Sequence, residues 1–255
     1  DEVPERKVSF DWETGACDAR YLCGVGRGSS QKAADNDARA ELTRIFSAKV
    51  ESVSESLDGF RQELSSKTGE TWFATSEVRQ KSIVSTDRVL TNSQIAARKK
   101  TSEGFVSLAL IERAPAAQAL RDRIGRADRE IDSLVAQAKR TNDAIARLRQ
   151  IRYAVLEHVD REAANADLTV LSTDGRGIEA PISRSELLRL LGAARKALKV
   201  ALLLTGDADD SLSGCFQQAL TQKGHELATV ERAASGGAAG KMVGASDALI
   251  HAQVN

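Results

Sequence analysis

Three groups of residues have types and spacings that could do chemistry. Gly24-Val25-Gly26-Arg27-Gly28 lies between an apolar run and a helical pattern. A dinucleotide-binding unit places its glycine-rich turn there, with the pyrophosphate on the helix N-terminus. That turn needs Gly-x-Gly-x-x-Gly, and the third small position here is Ser29. The following extended stretch, Val50-Glu51-Ser52-Val53, is mostly Ser and Glu and supplies no convincing acidic partner for a ribose. A tight turn that uses glycine's freedom at positive φ is the simpler reading, with Gly24, Gly26 and Gly28 as the cofactor candidates. The second group is Asp207, Asp209 and Asp210, after a buried apolar run and before a helical pattern. Carboxylates at the carboxyl end of a parallel strand can hold a metal or a phosphate-bound magnesium. They also cap a helix and complement its dipole, and with no second ligand cluster in view the cap is preferred. The third group is Cys17 and Cys23.

No pair of the three cysteines forms C-x-x-C, so neither a zinc knuckle nor a thioredoxin motif is supported. Cys17 and Cys23 are close enough for a small-loop disulfide in an oxidising compartment and otherwise remain free thiols. Cys215 sits on an apolar helix pattern and reads as a small buried hydrophobe. His158, His225 and His251 are dispersed, and His158 reads as exposed on a helix. No Gly-x-Ser-x-Gly elbow is present. The expectation is a protein without a catalytic centre, resident cofactor or metal.

Composition narrows the partners. The 255 residues are 42% apolar and 28% charged, which is globular. Lys plus Arg equal Asp plus Glu at 36 each. Duplex binders usually carry a basic excess to displace counterions, and single-strand binders need stacking platforms. Here aromatics are only 4%, so nucleic acid is not an expected partner. Arg98-Lys99-Lys100 reads as a solvated turn between strands. There is no run of about 20 apolar residues to span a bilayer.

Elements that would position these residues follow from periodicity. Residues 1–18 are irregular, with Trp12 an isolated anchor. Tyr21–Val25 reads as a strand, Gly26–Ser30 as a turn, and Ser29 or Ser30 as the cap of a helix carrying Ala34, Ala38, Leu42, Ile45 and Lys49, with Phe46 beside them. A polar strand at 48–58 and a second helix around Trp72, Phe73, Val78 and Ile83 come next. Runs near 89–98 and 105–112 flank Lys99–Gly104 as a hairpin, with Phe105–Ile111 central. Pro115 opens a helix whose seam is Leu120, Ile124, Ala127, Ile131, Leu134 and Ala138. Thr141-Asn142-Asp143 interrupts it, and Ile145, Leu148, Ile151 or Arg152, Val155 and Val159 resume as a second helix. Together these make an antiparallel helical hairpin, with Asn165 near its end as a C-terminal cap. Beyond Pro181 lie a short helix capped by Ser183 or Ser185, a buried strand at 199–204, a helix at 209–222 and strands at 225–230 and 248–252. That alternation calls for parallel pairing.

The expected class is α+β: a βαβαββ domain over 1–113, a long helical hairpin over 114–172, a linker over 173–182, and a smaller α/β (βαβ) domain over 183–255. The start at Asp1 without Met reads as processed or engineered, and the end on a strand reads as a truncated domain.

Tyr21-Leu22-Cys23-Gly24-Val25-Gly26, Ser29, Ala33-Ala34 and Asp37-Ala38-Arg39-Ala40-Glu41-Leu42 carry a resemblance. With the apolar strand Phe105 to Arg113 and Asn165-Ala166-Asp167-Leu168, the chain resembles the Lpp-twenty-type bacterial envelope lipoproteins over roughly residues 12 to 172. It is also similar to the amino-terminal domain of the flagellar assembly protein T. The resemblance implies an exported protein in the periplasm. It would be attached to the outer membrane only by a lipid anchor on a Cys upstream of Asp1, and its partner would be an envelope protein. It supplies no catalytic residues, and in a periplasmic setting it favours the Cys17–Cys23 disulfide. From 183 onward the chain resembles α/β modules of outer-membrane assembly proteins. The rival expectation is a small-molecule, metal or nucleotide binder that uses the second α/β domain.

Overall fold

The computed structural model describes residues 9–13, 15–46, 93–206, 210–222, 226–233 and 246–254. The strand read at 48–58, the helix read around Trp72–Ile83 and the Gly- and Ala-rich loop after Ala233 lie outside these residues. The protein is α+β. The described elements run β1 (Tyr21–Gly28), α1 (31–46), β2 (Gln94–Thr101), β3 (Gly104–Glu112), α2 (Arg113–Arg140), α3 (Ala144–Leu171), α4 (Arg184–Lys196), β4 (Lys199–Gly206), α5 (Asp210–Gln222), β5 (Glu226–Ala233) and β6 (Ala248–Val254). The chain forms two compact units. Among the described residues they divide between Ala127 and Asp128 in α2, between His158 and Val159 in α3, and between Glu179 and Ala180.

In the first unit, β1-β3-β2 is an antiparallel sheet with β3 central. Strand alternation puts Leu22, Gly24 and Gly26 on one buried face of β1, and α1 lies on that face. The approach is at backbone distance. A Cβ on Gly24 would stand 2.6 Å from the Ala38 carbonyl oxygen, and one on Gly28 2.7 Å from Ala33 Cβ. At Gly26 it would collide with Ala38 N and the Ala34 carbonyl. Small residues on the facing helix, Ala34 and Ala38, are both fully buried. Ser30 supplies the α1 cap by accepting from Ala33 N–H at 3.2 Å. The core then grows along α1 as Leu42 and Phe46 meet Leu22, Ala109, Ile111, Leu120, Ile124, Ala164 and Leu168.

The other face of β1 carries Cys23 and Val25, where residues 9–18 turn back on themselves. Phe10 bridges Cys17, Asp11 N–H donates to the Ala16 carbonyl at 2.8 Å, and Gly15 takes φ 72° at the turn. Trp12 is not isolated: its ring meets Phe10 edge-on, centroids 4.8 Å apart.

A polar bracket fastens α1 to the sheet. Ser107, fully buried on β3, donates to Asp35 Oδ1 at 2.6 Å. Arg98 on β2 grips the same carboxylate with Nε at 3.2 Å and Nη2 at 3.0 Å. Arg98-Lys99-Lys100 is therefore strand and not the expected turn. Lys99 pairs with Val106 and Lys100 with Phe105. The connection shrinks to Ser102-Glu103, with Gly104 at φ 140°. A charged side chain does not stop its backbone from pairing, and β2 stands next to only one described strand, so its basic side chains can reach solvent.

The helical hairpin forms around Thr141–Asp143. Asp143 caps α3 by accepting from Ile145 and Ala146 N–H at 2.9 and 3.1 Å. The α2 seam is buried throughout. On α3 the seam starts one residue earlier than expected, at buried Ala144, and Ile145 is 45% exposed. Counting four and three from Ile151 and Val155 lands on His158, which is buried at 4% and not exposed. Asn165 is not a terminal cap. It sits two turns before the helix end and its Oδ1 accepts from Ile178 N–H at 2.7 Å. Beside it, buried Arg161 donates to the Ile178 carbonyl at 2.7 Å. The chain leaving α3 is thus fastened back onto that helix.

In the second unit, Ser183 caps α4 by accepting from Glu186 N–H, and Leu187, Leu188 and Leu191 are buried. β4 is central in a parallel sheet ordered β5-β4-β6. Leu198 and Val200 pack with Ala144 and Leu148.

Two measurements test this packing. Gly26→Ala should cost about 3 kcal/mol or more in denaturant unfolding, because backbone atoms cannot yield to a methyl group. Gly192→Ala in α4, where nothing lies within 4 Å of the new Cβ, should instead add about 0.5 to 1 kcal/mol. The second test concerns acid. Hydrogen bonds from Arg98 and then Ser107 hold the Asp35 carboxyl below its ordinary value, against the opposing effect of burial. A depressed folded pKa gives stability that is fully present above the unfolded value, near 3.8, and lost as pH falls through the folded value. Asp35→Asn should therefore flatten the loss of stability below that pH while destabilising the protein at neutral pH.

Candidate functional site

The glycines that suggested a phosphate cradle are occupied. Gly24, Gly26 and Gly28 face α1, and the space a ligand would use holds the Ala34 and Ala38 backbone. Of the three aspartates, Asp207 and Asp209 lie outside the described residues, and Asp210 is the first residue of α5. No group of three or more His, Cys, Asp or Glu able to hold a metal occurs among the described residues. Cys215 corrects another expectation. It is exposed on α5 and shares its side with exposed Gln218 and Ala219. A side that includes an exposed glutamine one turn away is no apolar stripe. Cys17 and Cys23 are disulfide-bonded, which ties the segment around residues 9–18 to β1.

A concave surface of the first unit lies elsewhere, where β1 begins, α2 starts and α3 ends. It is a cleft of about 680 Å³. Ala114, Pro115, Ala117 and Leu171 form its apolar part, and Arg20, Arg113, Arg121, Gln118, Ser172 and Thr173 its polar part. Arg113 is its fixed element. The guanidinium donates through Nε to the Tyr21 carbonyl at 3.0 Å and through Nη1 to the Val170 and Leu171 carbonyls at 2.7 and 3.3 Å. Its own N–H donates to the Arg20 carbonyl at 2.9 Å. One residue therefore joins β1 to α2 and satisfies two of the carbonyls that a helix end leaves open. All three side-chain acceptors are neutral, and burial pushes the guanidinium below its ordinary pKa.

The other two arginines behave differently. Arg20 forks onto Asp18 at 2.8 to 3.1 Å and lies over the Tyr21 ring at 5.6 Å. Hydrogen bonds from the Arg20 side chain and then its backbone hold Asp18 down to about 2. Arg121 is exposed and has no partner among the described residues. Sequence reading missed this cleft because nothing local marks it. Arg113 is 92 residues from Tyr21 and 57 from Val170.

In the second unit β4 connects through α5 to β5 on one side, and β6 pairs on its other side. At their carboxyl ends Gly206 and Val254 are register partners.

No family model matches the chain, and no curated protein matches it. A solved structure, that of the secreted protein HP1454 from the human pathogen Helicobacter pylori, aligns with 76% of this chain and 68% of that one. The identity is 16% and the TM-score 0.35, too low to carry an argument. No helix among the described residues is long and apolar enough to cross a membrane.

The disulfide is directly testable. Its cysteines are six apart in sequence, and closing so small a loop is worth about 2 kcal/mol of unfolded-state entropy. Cys17→Ser/Cys23→Ser should lower unfolding stability by that amount. Dithiothreitol should bring the parent protein to the same level and leave the variant unchanged.

Proposed function

We propose that the protein is an exported, non-catalytic binding module of the bacterial cell envelope. In this reading it works in the periplasm, is held at the outer membrane by a lipid anchor, and docks an envelope protein. The observation that carries the reading is the Cys17–Cys23 disulfide, since such bonds persist in oxidising compartments and are rare in reducing ones. The lipoprotein-like pattern at Tyr21–Gly26 and Asp37–Leu42 supports it. The hairpin supplies a docking surface. Each helix has 28 residues, and Ile145 and Tyr153 are 45% and 53% exposed on α3. Exposed apolar side chains on a rigid helix suit a protein partner better than they suit water.

A second reading has its own support. The β5-β4-β6 order suits a small-molecule or nucleotide ligand beyond Gly206, where Asp207, Asp209 and Asp210 follow.

Fractionation of the native cells, with mass spectrometry of the segment preceding Asp1, decides the first reading. An acylated cysteine in the outer-membrane fraction is the expected result. A cytoplasmic chain with free thiols at Cys17 and Cys23 contradicts it. A magnesium–nucleotide panel that raises the melting temperature would favour the second.

A further inference from the structure

We propose that the cleft between the start of β1, the first turns of α2 and the end of α3 binds a small organic anion: a carboxylate or phosphate head on a compact apolar body. The inference is independent of the export reading and of the second unit.

The argument begins with charge. Arg20, Arg113 and Arg121 line the cleft, and Glu112 is its one carboxylate. The Arg20 fork is already filled by Asp18. Arg113 and Arg121 are not matched in this way. Arg113 is anchored through Nε and Nη1 to carbonyl oxygens, and Nη2 has no partner among the described residues. Arg121, without a partner among the described residues, follows eight residues on, which is close to the same side of α2. A guanidinium fixed by neutral acceptors keeps its charge while losing its freedom, so little ordering entropy remains to be lost on meeting an oxyanion. Its partial burial strengthens that attraction relative to a surface arginine.

The surroundings point to the same ligand. α2 has no acidic residue in its first turn, so among the described residues the only carboxylate beside the positive end of its dipole is that of Glu112, the residue before it. Ser172 and Thr173 are on the same lining, and a hydroxyl can donate to an oxyanion. Exposed Ala114 and Pro115 offer apolar contact, with buried Ala117 and Leu171 also in the lining, and a volume of about 680 Å³ falls within the range of small-molecule sites. A purely polar ion would leave that apolar wall unused.

The test uses hexanoate, hexyl phosphate and hexylammonium, titrated into the whole chain and followed by amide NMR. Hexanoate or hexyl phosphate should shift the amides of Ala117, Ser172 and Thr173, and the tighter of the two assigns the head group. Arg121→Gln should weaken that binding about tenfold, the worth of one charge-assisted hydrogen bond, with no change in melting temperature because its side chain is exposed. Glu112→Gln should tighten it. Hexylammonium shifting the same amides equally would overturn the proposal. So would a silent cleft with both anions, or Arg121→Gln binding as the parent does.

Discussion

The first unit depends on how closely one helix can lie on one strand. α1 rests on β1 with its Ala34 and Ala38 backbone in the places where side chains at Gly24 and Gly26 would be. At that distance the ordinary layer of side chains between helix and sheet is missing. Dispersion between closely packed backbones and the burial of Leu42 and Phe46 further along α1 take its place. The polar bracket at the open end follows from the same closeness. Only a helix so near the sheet brings Asp35 within 2.6 Å of a buried serine on β3. Without its acceptor, that hydroxyl would be buried and unsatisfied.

From this seam the rest of the unit is assembled by one disulfide and a set of polar ties. The disulfide holds residues 9–18 near β1. Arg113 gathers β1, α2 and the end of α3, and Arg161 with Asn165 fastens Ile178 to α3. In the arginine and asparagine ties a side chain satisfies a backbone group that local secondary structure leaves open. The cleft is a by-product of one such tie. Arg113 reaches across three elements, and the ground between them stays open.

Much of the fold was legible because it is written locally. Ser30 and Ser183 cap the helices they precede, Thr141–Asp143 turns the hairpin, and the α2 seam from Leu120 to Ala138 is buried as its spacing requires. What was illegible depended on partners far away. Gly24-x-Gly-x-Gly28 looks the same whether phosphate or a helix backbone fills the space beside it. His158 reads as polar until the seam is counted from Ile151 and Val155. Cys215 reads as apolar until its neighbours Gln218 and Ala219 are found exposed beside it. The candidate site was the least legible part, since no spacing in the sequence connects Arg113 with Tyr21 and Leu171.

The central claim, that the glycine motif is a packing seam and not a ligand cradle, is tested most directly by NMR of the intact chain with labelled glycine and alanine. Strong cross-relaxation from the Gly26 α-protons to the Ala34 and Ala38 backbone is predicted, together with protection of those α-protons from a soluble paramagnetic probe. Gly26 α-protons that are open to the probe, show no contact with Ala38 and shift on adding a dinucleotide would contradict the account.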